Sequence, residues 1–336
     1  MPAQRQDEDS LIKRIASGCR LLEESTSGRS VALGIGDDTA LFQARSGHET
    51  ILTCDWFLEK THFLRDRHPP DSVGWKCLAR TISDVAAMGG APRCFLLSLA
   101  LPQKLTGRWL DLFLRGLRRA SCKFQCPLAG GDTTQRSEVL INVSVVGDVP
   151  TGHAVLRSGA QVGDVLYVSG RLGEAELGLR ILRQGTRQAH KGNALTRKHL
   201  YPEPRLALGH WLSKRGLATA MMDVSDGLST DLRRLCVASA IGAKIEETKI
   251  PQVRTSDFAI KHGYQPIQLA LHGGDDYELL FTVPPRKEKL LPRIFQGLEL
   301  SPIGRITRER ELLLVAQNGH TGHFATGGWD PFRKKQ

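Results

Sequence analysis

The sequence predicts an α/β fold in two domains, on three observations. The chain has 336 residues, more than a single hydrophobic core usually serves. Short apolar, β-branched runs alternate with stretches of helical spacing through both halves. Pro150-Thr151-Gly152 interrupts that alternation, so the domains are expected at 1–150 and 151–336.

Taken in order, Leu11, Ile15, Cys19 and Leu22 have the spacing of an amphipathic helix over 11–22. Residues 31–33 read as a short strand that runs through paired glycines into Asp37-Asp38. The third glycine of a dinucleotide fingerprint is missing there. Residues 50–55 are a strand ending in Asp55, and 72–89 a helix with its stripe at Trp75, Leu78, Ala79, Ile82 and Ala86. Asp84 lies opposite Ile82 on that wheel. A strand at 94–101 stops at Pro102, and the next helix sets Trp109, Leu112, Phe113, Gly116 and Leu117 on one face.

Residues 128–134, Leu-Ala-Gly-Gly-Asp-Thr-Thr, suggest a phosphate-handling loop, with glycines for close backbone approach before an acid and two hydroxyls. A long strand covers 139–149. The second half reads as strand 165–169, helix 172–182, a basic surface loop or helix end at 183–197, and helix 206–215. An apolar run at 218–222 leads into Asp223-Val224-Ser225-Asp226-Gly227-Leu228-Ser229 and a helix over 230–240. A strand at 243–246, a mixed segment at 250–264 and a strand at 279–283 follow. Two glycines precede the acids Asp275, Asp276 and Glu278.

Composition bounds the function. Hydrophobic residues are 40% and charged residues 24%, ordinary for a soluble globular protein. Residues 1–10 are polar, and no apolar run could span a bilayer, so a cytoplasmic protein without a membrane role is expected. The seven cysteines are scattered and complete no zinc spacing, so reduced structural thiols are expected. The net charge of +11 suits anionic partners, but its Lys and Arg residues are dispersed except at 333–335. Nucleic acid is therefore not expected as the partner.

Walker A, kinase catalytic-loop, nucleophile-elbow and H-E-x-x-H patterns are all absent. What remains is carboxylates placed after strands, most beside glycine. Hard oxygen ligands suit magnesium or calcium, not zinc, and bound magnesium takes its other ligands from water and nucleotide phosphates. A helix N-terminus after Asp226 would add outward N–H groups for a phosphate. A set of plain Gly-Asp turns is the competing interpretation.

Five motifs carry a resemblance: G-I-G-D-D at 34–38, S-D-V-A-A-M-G at 83–89, G-G-D-T-T at 130–134, D-V-S-D-G-L at 223–228 and G-G-D-D-Y-E-L at 273–279. In order and spacing the chain resembles the thiamine-monophosphate kinase family, of the aminoimidazole ribonucleotide synthetase-like superfamily. The resemblance implies a two-domain α/β (α+β) architecture, with an N-terminal ATP/Mg-binding and dimerisation domain whose sheet pairs across a homodimer. A C-terminal α/β domain would complete the active-site cleft. The implied activity is ATP-dependent phosphorylation of thiamine monophosphate to thiamine diphosphate, with ATP and several Mg2+ ions.

Carried over by motif, Asp38, Thr53, Asp55, Asp84, Asp132, Asp223 and Asp226 would be magnesium ligands, with Cys54 contributing through its backbone carbonyl. Gly131, Asp132, Arg157 and Ser225 would contact ATP. His62 and Asp275 would contact thiamine monophosphate, together with a C-terminal aromatic residue. The catalytic set is expected to be Asp55, Asp132, Asp226 and the cationic clamp Arg157. This chain departs from the family pattern at Cys54, where threonine or serine is usual, and at Asp275, where glutamate is usual. At the aromatic position it has Thr326, leaving Phe324 or Trp329 to stand in, with Trp329 the choice here. A phosphate oxygen of the acceptor is already anionic at neutral pH, so direct in-line transfer without a general base is expected. Two alternatives remain: another ATP-dependent synthetase or cyclase of the superfamily, or a non-catalytic nucleotide- or nucleic-acid-binding module.

Overall fold

The computed structural model describes residues 8–19, 30–35, 38–185 and 194–332. By internal contact it divides into two units, Met1–Val85 with Gly90–Gly152, and Ala86–Gly89 with His153–Gln336.

The first unit contains α1 (Glu8–Cys19), β1 (Val31–Leu33), β2 (Leu41–Phe42), β3 (His48–Leu58), α2 (Pro70–Ala87), β4 (Ala91–Leu101), α3 (Arg108–Phe124), β5 (Leu128–Gln135) and β6 (Leu140–Pro150). Four strands form a sheet in the order β3-β6-β4-β5. Its pairs are antiparallel except β4–β5, which is parallel and needs α3 as its crossover. The period of two along β3 turns Thr53, Asp55 and Phe57 toward α2 and leaves Leu52, Cys54 and Trp56 on the open face. Leu52 is 76% exposed and Trp56 56%. The helix α2 is buried almost all round, through Val73, Leu78, Ala79, Ile82 and Val85, while Asp84 is half-buried.

The second unit runs β7 (Val165–Ser169), α4 (Glu174–Arg183), α5 (Ala194–Leu200), α6 (Leu206–Lys214), β8 (Ala220–Val224), α7 (Leu228–Ser239), β9 (Gly242–Glu246), α8 (Asp257–Lys261), α9 (Pro266–His272), β10 (Glu278–Val283), β11 (Ile294–Phe295), β12 (Leu298–Thr307), β13 (Leu312–Val315) and β14 (Thr321–His323). Its 8-stranded sheet is ordered β14-β13-β9-β12-β7-β10-β8, with β11 on β12. The strands β7 and β10 and the edge strand β8 are buried at every position, as a sheet covered on both faces requires. Leu166, Val168, Met222, Val224 and Leu280 pack with Leu228, Leu232 and Leu235 of α7. On the other face, Tyr167, Met221 and Phe281 pack with Leu208 and Leu212 of α6.

Several sequence expectations change. The segment 128–134 is not a loop but β5, because its backbone pairs with β4 along its length. The strand expected to end at Asp55 continues to Leu58, since Trp56 and Phe57 keep its alternation. Part of the expected 183–197 loop or helix end, residues 186–193, lies outside the described residues, and from Ala194 the chain is helical. Asp37, residues 20–22 and the basic 333–335 also lie outside them. The mixed 250–264 segment contains α8; α9 and the strands after residue 290 had no distinct signal.

Candidate functional site

In the first unit, β3 and α2 bring three of the expected ligands together. The Thr53 hydroxyl donates to Asp84 Oδ2 at 2.5 Å. Asp55, two residues along the same strand face, is 3.5 Å from the Arg80 guanidinium. That guanidinium also lies over the Phe57 ring, 5.6 Å from its centroid. Arg80 precedes Asp84 by one helical turn and was not singled out from the sequence. Cys54 points to the open face, so only its backbone shares the Thr53–Asp55 side.

Gly131 and Asp132 lie on β5, the opposite edge strand from β3. The pairs Asp55↔Val143, Leu97↔Val143 and Leu97↔Gly131 put Asp55 and Gly131 in one row across the sheet. Three inter-strand steps separate them by about 14 Å. The unit therefore does not gather Asp132 with Asp55. A Cβ on Gly131 would sit 1.9 Å from the Leu97 carbonyl oxygen, so this glycine is required by the close approach of β5 to β4. Asp38 lies on an exposed bend after β1. His62 accepts the Leu58 N–H at Nδ1, 3.0 Å away, and stacks on Phe57. In the neutral ring that bond places the proton on Nε2.

In the second unit, Asp223 is buried within β8, its backbone opposite Leu279. The chain then turns through Ser225 and Asp226 into α7. The N–H groups of Ser225 and Asp226, just ahead of α7, both donate to Asp231 Oδ2, at 3.1 and 3.0 Å. The chain's own acid holds that turn. Burial pushes the Asp231 carboxyl up to about 7, and the charge of Asp226 adds to the rise. Arg234 bridges Asp226 at 2.5 Å and Asp231 at 2.8 Å.

The 273–277 segment lies against this turn. Asp275 N–H donates to the Ser225 carbonyl at 2.8 Å and Tyr277 N–H to the Val224 carbonyl at 2.9 Å. Asp275 and Tyr277 both take left-handed backbone, φ 68° and 51°. Such geometry costs roughly 1–2 kcal/mol per non-glycine residue and gathers at functional sites. The Tyr277 hydroxyl donates to Asp275 Oδ1 at 2.8 Å, and His199 Nδ1 lies 3.7 Å from Oδ2. Asp276 points elsewhere and caps α4 by accepting the Gly173 and Ala175 N–H groups at 2.6 and 3.0 Å. Glu278 is fully buried and bonded to Lys198, Arg205 and Ser169. Burial alone would raise its pKa, but Lys198 and Arg205 outweigh that and hold it below the usual carboxylate range.

The C-terminal segment closes on the same turn. Trp329 N–H donates to the Asp226 carbonyl at 2.9 Å, and Gly327 N–H to Ser229 Oγ at 3.2 Å. A Cβ on Gly328 would stand 2.1 Å from the Asp226 carbonyl oxygen. Trp329 therefore sits beside Asp226, whereas Phe324 packs against the apolar core. Arg157 is exposed and lies at the other end of this helix–strand pair. Its carbonyl accepts from Ser239 at the last turn of α7, and Leu156 meets Met221 early in β8. At about 1.5 Å per residue, α7 alone separates that end from Asp226 by about 18 Å.

The oxygen donors suit magnesium: a hydroxyl and carboxylates on strand and turn positions. Among the described residues no three of His, Cys, Asp and Glu stand together as a cage.

Comparison with known proteins defines first the class. Residues 36–149 match the family model "AIR synthase related protein, N-terminal domain", and residues 161–316 the corresponding C-terminal domain. The thiamine-monophosphate kinase of Escherichia coli (strain K12) is 36% identical over 331 residues, 97% of this chain and 98% of that protein. The crystal structure of thiamine-monophosphate kinase from Stenotrophomonas maltophilia K279a is 33% identical, with a TM-score of 0.79, covering 93% of this chain and 96% of that one. A structure described as AaThiL complexed with AMPPCP and TMP is 32% identical, with a TM-score of 0.75 and 99% of both chains covered. The chain belongs to the thiamine-monophosphate kinase family. The family and the mixed α/β two-domain architecture implied by the five motifs are both borne out.

Proposed function

We propose that this chain transfers the γ-phosphoryl group of ATP to the phosphate of thiamine monophosphate, giving thiamine diphosphate and ADP. The observation that carries the proposal is the joining of two distant motifs and the C-terminal segment at one turn. Backbone bonds from Asp275 and Tyr277 reach residues 224–225, and Trp329 reaches Asp226. Family membership supplies the reaction, and the relative described as bound to AMPPCP and TMP supports both substrates.

In the reaction an anionic phosphate oxygen of the acceptor attacks the γ-phosphorus in line. The bond from that phosphorus to the β,γ-bridging oxygen breaks, and ADP leaves with the electron pair. No proton has to be removed from the nucleophile, so no general base is required. Asp38, Thr53, Asp55, Asp84, Asp132, Asp223 and Asp226 would hold magnesium, with the Cys54 carbonyl. The bound ions would neutralise repulsion between the two polyanions and the charge on the transferring group. Gly131, Asp132, Arg157 and Ser225 bind ATP in this scheme, and His62, Asp275 and Trp329 bind thiamine monophosphate. Arg80 and Arg234, each beside an expected ligand, orient those carboxylates.

The domain assignment proposed from the resemblance is retained: 1–150 binds ATP and magnesium and dimerises, and 151–336 completes the site. The open face of the first unit's sheet, with Leu52 and Trp56 exposed, is the surface proposed to meet a second copy. A cytoplasmic setting is in keeping with free thiols at Cys54, Cys77, Cys94, Cys122, Cys126 and Cys236.

Incubation with ATP, magnesium and thiamine monophosphate, following thiamine diphosphate directly, tests the function. Wild type should form product, and Asp226→Asn should lose at least about a hundredfold in kcat/KM, an electrostatic contribution of ordinary size. ATP consumed with a different acceptor would move the protein to another reaction of the class. No turnover with any acceptor would leave a binding module.

A further inference from the structure

Resting on the thiamine-monophosphate reading of Asp275, we infer that Tyr277 and His199 are positioning residues that fix the Asp275 carboxylate for the cationic, amine-bearing end of the acceptor. The argument starts from exposure. Tyr277 and His199 are buried, while the Asp275 side chain keeps 30% of its surface open. Of the three, the carboxylate is the group that reaches outward.

Its orientation is determined twice over. The backbone N–H groups of Asp275 and Tyr277 anchor this segment to the carbonyls of Ser225 and Val224. The side chain is then held from one side by the Tyr277 hydroxyl at 2.8 Å and faced from the other by the His199 ring at 3.7 Å. His199 is itself held in place by its neighbour. Lys198 binds the buried Glu278 at 2.8 Å, tying the last turn of α5 to β10. The exposed side of the carboxylate, an acceptor-only group, is suited to an amine or a ring cation. Fixing the acid before the ligand arrives removes the cost of ordering it on binding.

The test is steady-state kinetics on Tyr277→Phe in two backgrounds, wild type and Asp275→Glu. One lost hydrogen bond to a charged group should raise KM for thiamine monophosphate about tenfold, with kcat and KM for ATP held within about twofold. Glutamate, one methylene longer, carries its carboxylate past the Tyr277 hydroxyl. In the Asp275→Glu background the same change should therefore cost less than about twofold. His199→Gln should follow Tyr277→Phe in direction. Equal losses in both backgrounds, or parallel rises in both KM values with a lower melting temperature, would show Tyr277 to be a structural residue and overturn the inference. Wild-type turnover with an indifferent Tyr277→Phe overturns this inference alone. Wild type that does not use thiamine monophosphate overturns the functional proposal and this one together.

Discussion

At Asp276, burial pushes the carboxyl up to about 7, against the pull of the Gly173 and Ala175 N–H groups and Lys198. The folded protein thus holds a proton there that the unfolded chain releases near pH 4. Stability from this group is complete below about pH 4 and falls as pH rises toward 7. Melting temperatures at pH 5 and 7.5 should show that fall in wild type and a smaller one in Asp276→Asn. A steeper fall in the variant would contradict the assignment. At this scale the sequence was legible where chemistry is local. Asp223, Ser225 and Asp226 stand out because glycine and acid punctuate a strand end. Arg80, His199, Arg205 and Asp231 do not stand out, since their meaning lies in partners the sequence does not announce. Lys198 meets Glu278 80 positions away.

Strand β5 shows how an element can mislead. Leu-Ala-Gly-Gly-Asp-Thr-Thr has the composition of a loop, yet parallel pairing with β4 makes it a strand. Its glycine serves packing as much as any ligand. Gly131→Ala drives a methyl group into the Leu97 carbonyl and should cost about 1–3 kcal/mol, read as a lower urea midpoint. An unchanged midpoint would mean that β5 can move away from β4. Long, strongly patterned elements such as α2, α3, β6 and β7 were visible in the sequence, because burial on a fixed face imposes a period. The strands after residue 290 were not. The strand β12 carries Pro302 and Gly304, and its register shifts between them, which erases the alternation.

For the molecule as a whole, two units and their class were legible from length and from motifs spread along most of the chain. What the motifs cannot report is association, because an exposed apolar residue looks like any other until its neighbours on the sheet are known. Leu52, Trp56 and Leu96 share the open face of one sheet, with Cys54 among them. Sedimentation should give a dimer for wild type and a monomer for Trp56→Asp. Cys54 should react with a thiol reagent faster in the variant. A wild-type monomer would remove this face as the dimer surface.

The bond from Gly327 to Ser229 joins residues 98 positions apart. During synthesis the acidic turn and its helix leave the ribosome long before the segment that closes over them. A nascent chain can build the sheet of the second unit and still lack the last wall of its site. Premature termination or clipping ahead of residue 327 should therefore yield protein that is folded but inert, not partly active.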